Sequence, residues 1–145
     1  MSRIVAPTYG AGMETTRATL ARFEDATYRR LVGPGEVEIE TVRPGSAEVR
    51  RTIIWIVGCL GRVYVRSVRG PRGVWYQEAL EGRRVAIRAG EERFAGEAVP
   101  VTDPSMITAV SRAFMSKYGG DDSLPLMLRP ETLPTTLEVR PAPER

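Results

Sequence analysis

The stretch TIIWIVGCLGRVYVRSVRGPRGVWYQEAL, Thr52 to Leu80, decides the fold. Its opening is apolar and rich in β-branched residues, and with the residues just before it reads as one strand over 49–57. Cys59-Leu60-Gly61-Arg62 reads as a turn. A second strand follows over 63–69. Strand side chains alternate, so Val63, Val65 and Ser67 share one face and Tyr64, Arg66 and Val68 the other. Gly70-Pro71-Arg72-Gly73 breaks this strand into a loop. Trp75 to Leu80 then reads as one or two helical turns.

The same alternation extends outward. Upstream, 36–43 places Val37, Ile39 and Thr41 on one face and glutamates on the other, and Pro44-Gly45-Ser46 turns the chain. Before that, Leu20, Phe23, Tyr28 and Leu31 form a helical stripe that begins near Thr15 and stops at Gly33-Pro34-Gly35. The stripe is consistent with two short helices, the second capped by Asp25. Downstream, 84–89 and 92–101 read as a hairpin about Gly90. Asp103-Pro104 is a helix start, with the aspartate as cap and the proline in the first turn. That helix carries Ile107, Val110, Phe114 and Met115 and ends at Tyr118-Gly119-Gly120. Residues 121–130 are a loop or short helix, and 135–140 a last strand with Leu137 and Val139 inward. The expected organisation is a flexible arm over 1–14, one domain over 15–141 and a tail over 142–145. Six short antiparallel strands with flanking helices make an α+β domain, and closure into a barrel would remove exposed edges.

Composition narrows the chemistry. The chain has 145 residues, 42% hydrophobic and 27% charged, enough to bury a core without disulfides or metals. No apolar run reaches the length of a membrane span, and the first dozen residues lack the apolar core of a signal peptide, so a cytoplasmic protein is expected. Cys59 is the single cysteine and there is no histidine. Ser-His-Asp and Cys-His mechanisms, cysteine clusters and most zinc chemistry are thereby excluded, and no metal site is expected. Proton transfer would fall to carboxylates, tyrosines, Lys117, a cofactor or water. The net charge of +3 comes from arginines scattered among acids, so no nucleic-acid partner is expected.

A few residues stand out. Arg66, Ser67 and Arg69 beside Gly70 offer two guanidinium groups, a hydroxyl and loop amides, a set able to enclose a phosphate or carboxylate. Their odd spacing requires a bulge or bend to bring the arginines together. The competing reading pairs them with acids on neighbouring strands. Trp75 and Tyr76 suit stacking on a flat ring, with one of the two expected to pack the short helix onto the barrel. Trp55 shares a face with Ile53 and Val57, either as core or as the wall of a substrate pocket. Cys59 reads as a buried small hydrophobe. Glu91-Glu92 would make a poor metal site, and Asp121-Asp122 reads as turn capping.

The quoted stretch also resembles the centre of the split-barrel superfamily of pyridoxamine-phosphate oxidases and deazaflavin-dependent nitroreductases. It is most similar to a branch known only as a domain of unknown function. The resemblance rests on Ile54-Trp55, Tyr64-Val65-Arg66-Ser67, Gly70-Pro71 and the pair Trp75-Tyr76, then on Ile87–Gly90, Lys117–Gly119 and Thr135–Leu137. It spans roughly 26–141. It implies a six-stranded antiparallel split β-barrel with flanking helices, and a homodimer with its cofactor site at the interface. It implies a cofactor phosphate against Arg66, Ser67, Arg69 and Arg72, with Trp75 and Tyr76 at the ring. The basic phosphate signature of the oxidases is only partly reproduced. Flavin mononucleotide, an F420-type deazaflavin, another anion or no cofactor therefore all stay open. The expected function is a flavin- or deazaflavin-dependent oxidoreductase acting on a small molecule. Two alternatives stand beside it: a cofactor-free, cyclase- or isomerase-like barrel enzyme of specialised metabolism, and a non-enzymatic ligand-binding domain. No catalytic residue emerges from the sequence.

Overall fold

The computed structural model describes residues 21–142. The expected arm over 1–14, the first of the two short helices and most of the tail lie outside them. The described chain runs α1 (Asp25–Val32), β1 (Val37–Val42), β2 (Val49–Ile54), β3 (Val57–Cys59), β4 (Arg62–Val65), a 3-10 turn (Gly70–Arg72), α2 (Val74–Gly82), β5 (Arg84–Ala89), β6 (Glu92–Pro100), α3 (Pro104–Tyr118), α4 (Leu124–Met127), a second 3-10 turn (Leu133–Thr135) and β7 (Leu137–Pro141).

The strands form one seven-stranded sheet in the order β2-β1-β5-β6-β7-β4-β3, with every pairing antiparallel. The two end strands, β2 and β3, are separated in the chain only by Trp55 and Ile56, so the sheet curls back on itself into a half-barrel. This corrects the expected six strands. The apolar run over 49–57 is two strands, because side chains satisfy both backbone groups of Ile56. Its N–H donates to the Tyr118 hydroxyl at 3.2 Å and its C=O accepts from Lys117 Nζ at 2.7 Å.

Two other boundaries differ from expectation. The strand read over 63–69 stops at Val65, for a reason given below. Asp25 is the first helical residue of α1 and Glu24 occupies the cap position without a side-chain bond; the Asp25 carboxylate instead sits in the first turn, where the helix dipole favours it. The Asp103 cap stands as read, its side chain accepting from Ser105 N–H.

β3 and β4 are joined by Leu60-Gly61, both left-handed at φ 54° and 78°, the signature of a type I′ hairpin turn. Tyr28 of α1 lies across Gly58 so closely that a Cβ there would overlap its ring and hydroxyl.

Alternation divides the core in two. Val63 and Val65 join Val37, Ile39, Ile87 and Leu137 in the larger cluster, against α1 and α2. Tyr64, on the opposite face of β4, packs with Val57 against Val110, Phe114 and Tyr118 of α3. β4 is thus buried on both faces. The glutamates of β1 do face away from the larger core, yet Glu40 is buried beneath Arg51 and Arg93 (3.3 and 2.9 Å), with Arg88 at 3.7 Å. Among the described residues, no helix is long and apolar enough to cross a membrane.

Candidate functional site

The site forms where β4 gives out. Beyond Val65↔Leu137 the ladder between β4 and β7 is replaced by threonine hydroxyls. Ser67 N–H donates to Thr135 Oγ1 at 3.0 Å, and Arg66 Nε donates to Thr136 Oγ1 at 2.8 Å. Each hydroxyl then donates onward, to Thr132 C=O at 2.6 Å and Leu133 C=O at 2.7 Å. Short β-branched hydroxyl residues can hold the chain in this way without continuing the sheet.

The loop that follows is tied to itself. Ser67 Oγ donates to Gly70 C=O at 2.8 Å, Gly73 N–H donates to the same carbonyl at 3.1 Å, and Arg129 Nη2 donates to Val68 C=O at 2.6 Å. A Cβ on Gly73 would strike Ser67 Oγ. Gly73 is also the cap of α2 and supplies no side-chain bond, so the first-turn amides of α2 are left without a side-chain cap.

Arg66 is the unusual residue. It is fully buried. Besides Thr136 it donates from Nη1 to Ser111 Oγ and Met127 C=O, both at 3.0 Å, and from Nη2 to Ile107 C=O at 2.9 Å. Its Cζ lies 5.2 Å from the Phe114 ring centroid. These bonds engage four of the five N–H donors of a guanidinium. None of the ion pairs among the described residues includes it. Burial draws its pKa down to about 10, so it keeps its charge at neutral pH and holds it without a carboxylate partner.

A pocket of about 520 Å³ opens beside these elements, bounded by β2, the 67–69 segment, the start of α2 and α4. Arg66, Ser67, Arg69, Trp55 and Trp75 all line it. Five of the sequence-selected residues thus share one pocket lining, Arg66 with its guanidinium turned to Thr136, Ser111, Met127 and Ile107 and Arg69 exposed. Arg72 and Tyr76 do not line it: Arg72 is exposed on the 3-10 turn, and Tyr76 is 8% exposed in the larger core, edge-on to Trp75 at 6.2 Å. Trp55 stacks on Tyr118 with ring centroids 4.0 Å apart and planes 3° from parallel. Cys59 is partly exposed rather than buried, lies outside the pocket lining, and has its thiol pKa raised by burial.

Sequence reasoning missed Glu36, Arg50 and Thr52, which also line the pocket. A signal existed for two of them. Arg50 and Thr52 share the alternation of Ile54, whose cross-strand partner is the buried Val37, so a period-2 reading of β2 puts both on the inner face. Asp121 caps its turn as read, accepting from Ser123 N–H at 2.8 Å, and reaches the pocket as well.

Arg50 is held by Glu78 of α2 through two bonds, 3.0 and 3.2 Å, and Glu78 accepts from Thr41 Oγ1 at 2.7 Å. The Arg50 bond, then the Thr41 bond, holds the Glu78 carboxyl below its ordinary 4.5 against the opposing effect of burial. A carboxyl depressed in the fold contributes stability that is present above its unfolded value and lost as pH falls through the folded value. The stability difference between the wild type and Glu78→Gln, measured by urea denaturation, is therefore expected to be constant from pH 7 to about 5 and to shrink below 4.5. A difference that stays flat down to pH 3 would place the carboxylate's energy elsewhere.

The fold is that of known split barrels. It matches an F420-H2-dependent reductase, FDR-A, with a TM-score of 0.54 and 14% identity over 73% of this chain and 94% of that one. It matches a candidate pyridoxamine 5′-phosphate oxidase from Listeria innocua with a TM-score of 0.55 and 13% identity over 83% and 93%. It matches HutZ, the heme storage protein of Vibrio cholerae, with a TM-score of 0.59 and 12% identity over 85% and 92%. At these identities the likeness is one of fold. No curated protein matches the chain in sequence. Residues 27–139, most of the chain, do match the family described as uncharacterized protein conserved in bacteria (DUF2255), and the protein belongs to that family.

Proposed function

We propose that the pocket binds a flat, anionic cofactor of the flavin or deazaflavin class and that the protein is an oxidoreductase acting on a small molecule. The observation that carries this reading is Arg66: a buried cation with no carboxylate partner, lining a pocket that is also lined by two indoles. Its hydrogen bonds and its contact with Phe114 all go to neutral groups, so its charge is not cancelled locally and would favour an anion in the pocket. The residues fit such a group. Arg69 and the first-turn amides of α2 would hold the phosphate or acidic tail, with the buried Arg66 behind them supplying positive potential, while Trp55 and Trp75 would flank the ring. The volume falls within the range of ordinary ligand sites. When bound, the cofactor supplies the hydride chemistry. The chain's own part is to clamp the anion, exclude water and orient the ring. Glu36 and Asp121 are the acids that line the pocket.

Binding of heme, the ligand of HutZ, fits less well. The chain has no histidine, and among the other usual axial ligands only Met127 lines the pocket. Ile53, Val68, Val74 and Leu126 stand exposed along the pocket lining, an apolar rim suited to a second copy of the chain. Homodimerisation at this face belongs to the same reading.

The test is a fluorescence titration of the purified protein with flavin mononucleotide and with F420, beside Arg69→Ala. Arg69 is exposed and outside every ion pair among the described residues, so its removal should leave the fold intact. One charge-assisted bond is worth about 1.5–3 kcal/mol, so Arg69→Ala is expected to weaken binding by roughly ten- to a hundredfold. Failure of both cofactors to bind would overturn the redox reading in favour of a cofactor-free pocket.

A further inference from the structure

The end of α3 carries a motif that the cofactor reading leaves unused. Lys117 Nζ donates to three backbone carbonyls, Val32, Pro34 and Ile56, each at 2.7 Å. An ammonium has three N–H donors, so this set is complete. The next residue, Tyr118, accepts from Ile56 N–H at 3.2 Å and donates to Gly35 C=O at 2.7 Å. Its ring forms the parallel stack under Trp55. Two adjacent side chains thus occupy both backbone groups of Ile56 and anchor the 32–35 turn. The residues next to those anchor points are Trp55 and Glu36, and both line the pocket. Neither Lys117 nor Tyr118 lines it.

We infer that Lys117 and Tyr118 are positioning residues for the pocket: they interrupt the sheet between β2 and β3 and thereby set Trp55 and Glu36 as its walls. The geometry requires a side chain able to satisfy three carbonyls converging on one point. Lysine can do so, whereas the planar fork of arginine sends its donors in divergent directions. The consequence for ligands rests on the cofactor reading above. The consequence for Trp55 does not.

Trp55 and Trp75 are the only tryptophans, so a Trp75→Phe protein reports Trp55 alone. In that background Lys117→Met, which keeps the aliphatic stem and loses the donors, is expected to shift Trp55 emission to the red and raise its quenching by acrylamide while the far-ultraviolet spectrum stays folded. Lys117→Arg should not restore the wild-type emission. Tyr118→Phe keeps the stack and removes only the hydroxyl; it should shift emission in the same direction by less, and it decides the matter if Lys117→Met does not fold. Folded variants with unchanged emission and quenching would overturn the inference, since Trp55 would then be placed by the sheet alone. If the wild type binds flavin mononucleotide or F420, Lys117→Met should bind it about tenfold more weakly, the worth of one stacking wall. If the wild type binds neither, the cofactor reading fails and the Trp55 signal still decides the positioning role.

Discussion

Arg66→Ala is expected to lower the free energy of unfolding by about 3–5 kcal/mol, measured by urea denaturation. The side chain is fully buried, so its loss leaves a cavity that the surrounding strand ends and helices can only partly fill. It also removes the donor to the carbonyls of Met127 and Ile107 and to the hydroxyls of Ser111 and Thr136, of which the Met127 carbonyl is the buried one left without a side-chain partner. A stranded buried polar group costs about 1–3 kcal/mol, and neighbouring groups of this kind do not add simply. Against a total stability of roughly 5–15 kcal/mol, such a loss brings the chain near unfolding at 37 °C. Arg66→Met should cost less, about 2 kcal/mol, because it retains volume and removes a charge that was costly to bury. The order Ala worse than Met is the informative result. If Arg66→Ala falls within 1 kcal/mol of the wild type, the guanidinium holds nothing together and its burial has some other cause.

Much of this arrangement was legible in the chain. Alternation located β1 and put Val63 and Val65 opposite Tyr64, and the Gly90 bend between two short runs located β5 and β6. The Asp103-Pro104 start of α3 was legible because capping is local chemistry. The break at Trp55-Ile56 was not. Nothing in an apolar run announces that a lysine and a tyrosine some sixty residues later will take over its backbone bonds. The early end of β4 was hidden for a similar reason. Thr135 and Thr136 read as strand formers on propensity, and only their hydroxyl bonds to the 66–67 segment show that they replace the ladder rather than extend it.

The site divides along the same line. Arg66, Ser67 and Arg69 could be picked out because a cluster of cations beside a glycine loop is a local pattern. Whether the arginines converge depends on the strand ending at Val65, which is a tertiary fact. Arg66 and Arg69 also differ in a way that spacing cannot express. One is fully buried on neutral partners and the other is exposed, so the first belongs to the fold as well as to the pocket lining and the second to the lining alone.

The second large effect lies beneath that buried charge. Phe114→Ala is expected to cost about 3–5 kcal/mol, the usual loss for deleting a fully buried ring. Packing volume alone would make Phe114→Leu nearly harmless, about 1 kcal/mol. The ring has a further role, because it faces the Arg66 guanidinium at 5.2 Å and lies 6.0 Å from the Tyr118 ring. A desolvated cation over an aromatic face is worth roughly 0.5–2 kcal/mol, and leucine cannot supply it. A double-mutant cycle of Phe114→Leu with Arg66→Met, followed by urea denaturation, isolates that part. Coupling of about 1 kcal/mol would show that the ring supports the charge. Additivity within about 0.5 kcal/mol would reduce Phe114 to a space-filling residue. Phe114 lies between the arginine beside the pocket and the tyrosine beneath Trp55, and the cycle isolates its support of the arginine from its packing against the tyrosine.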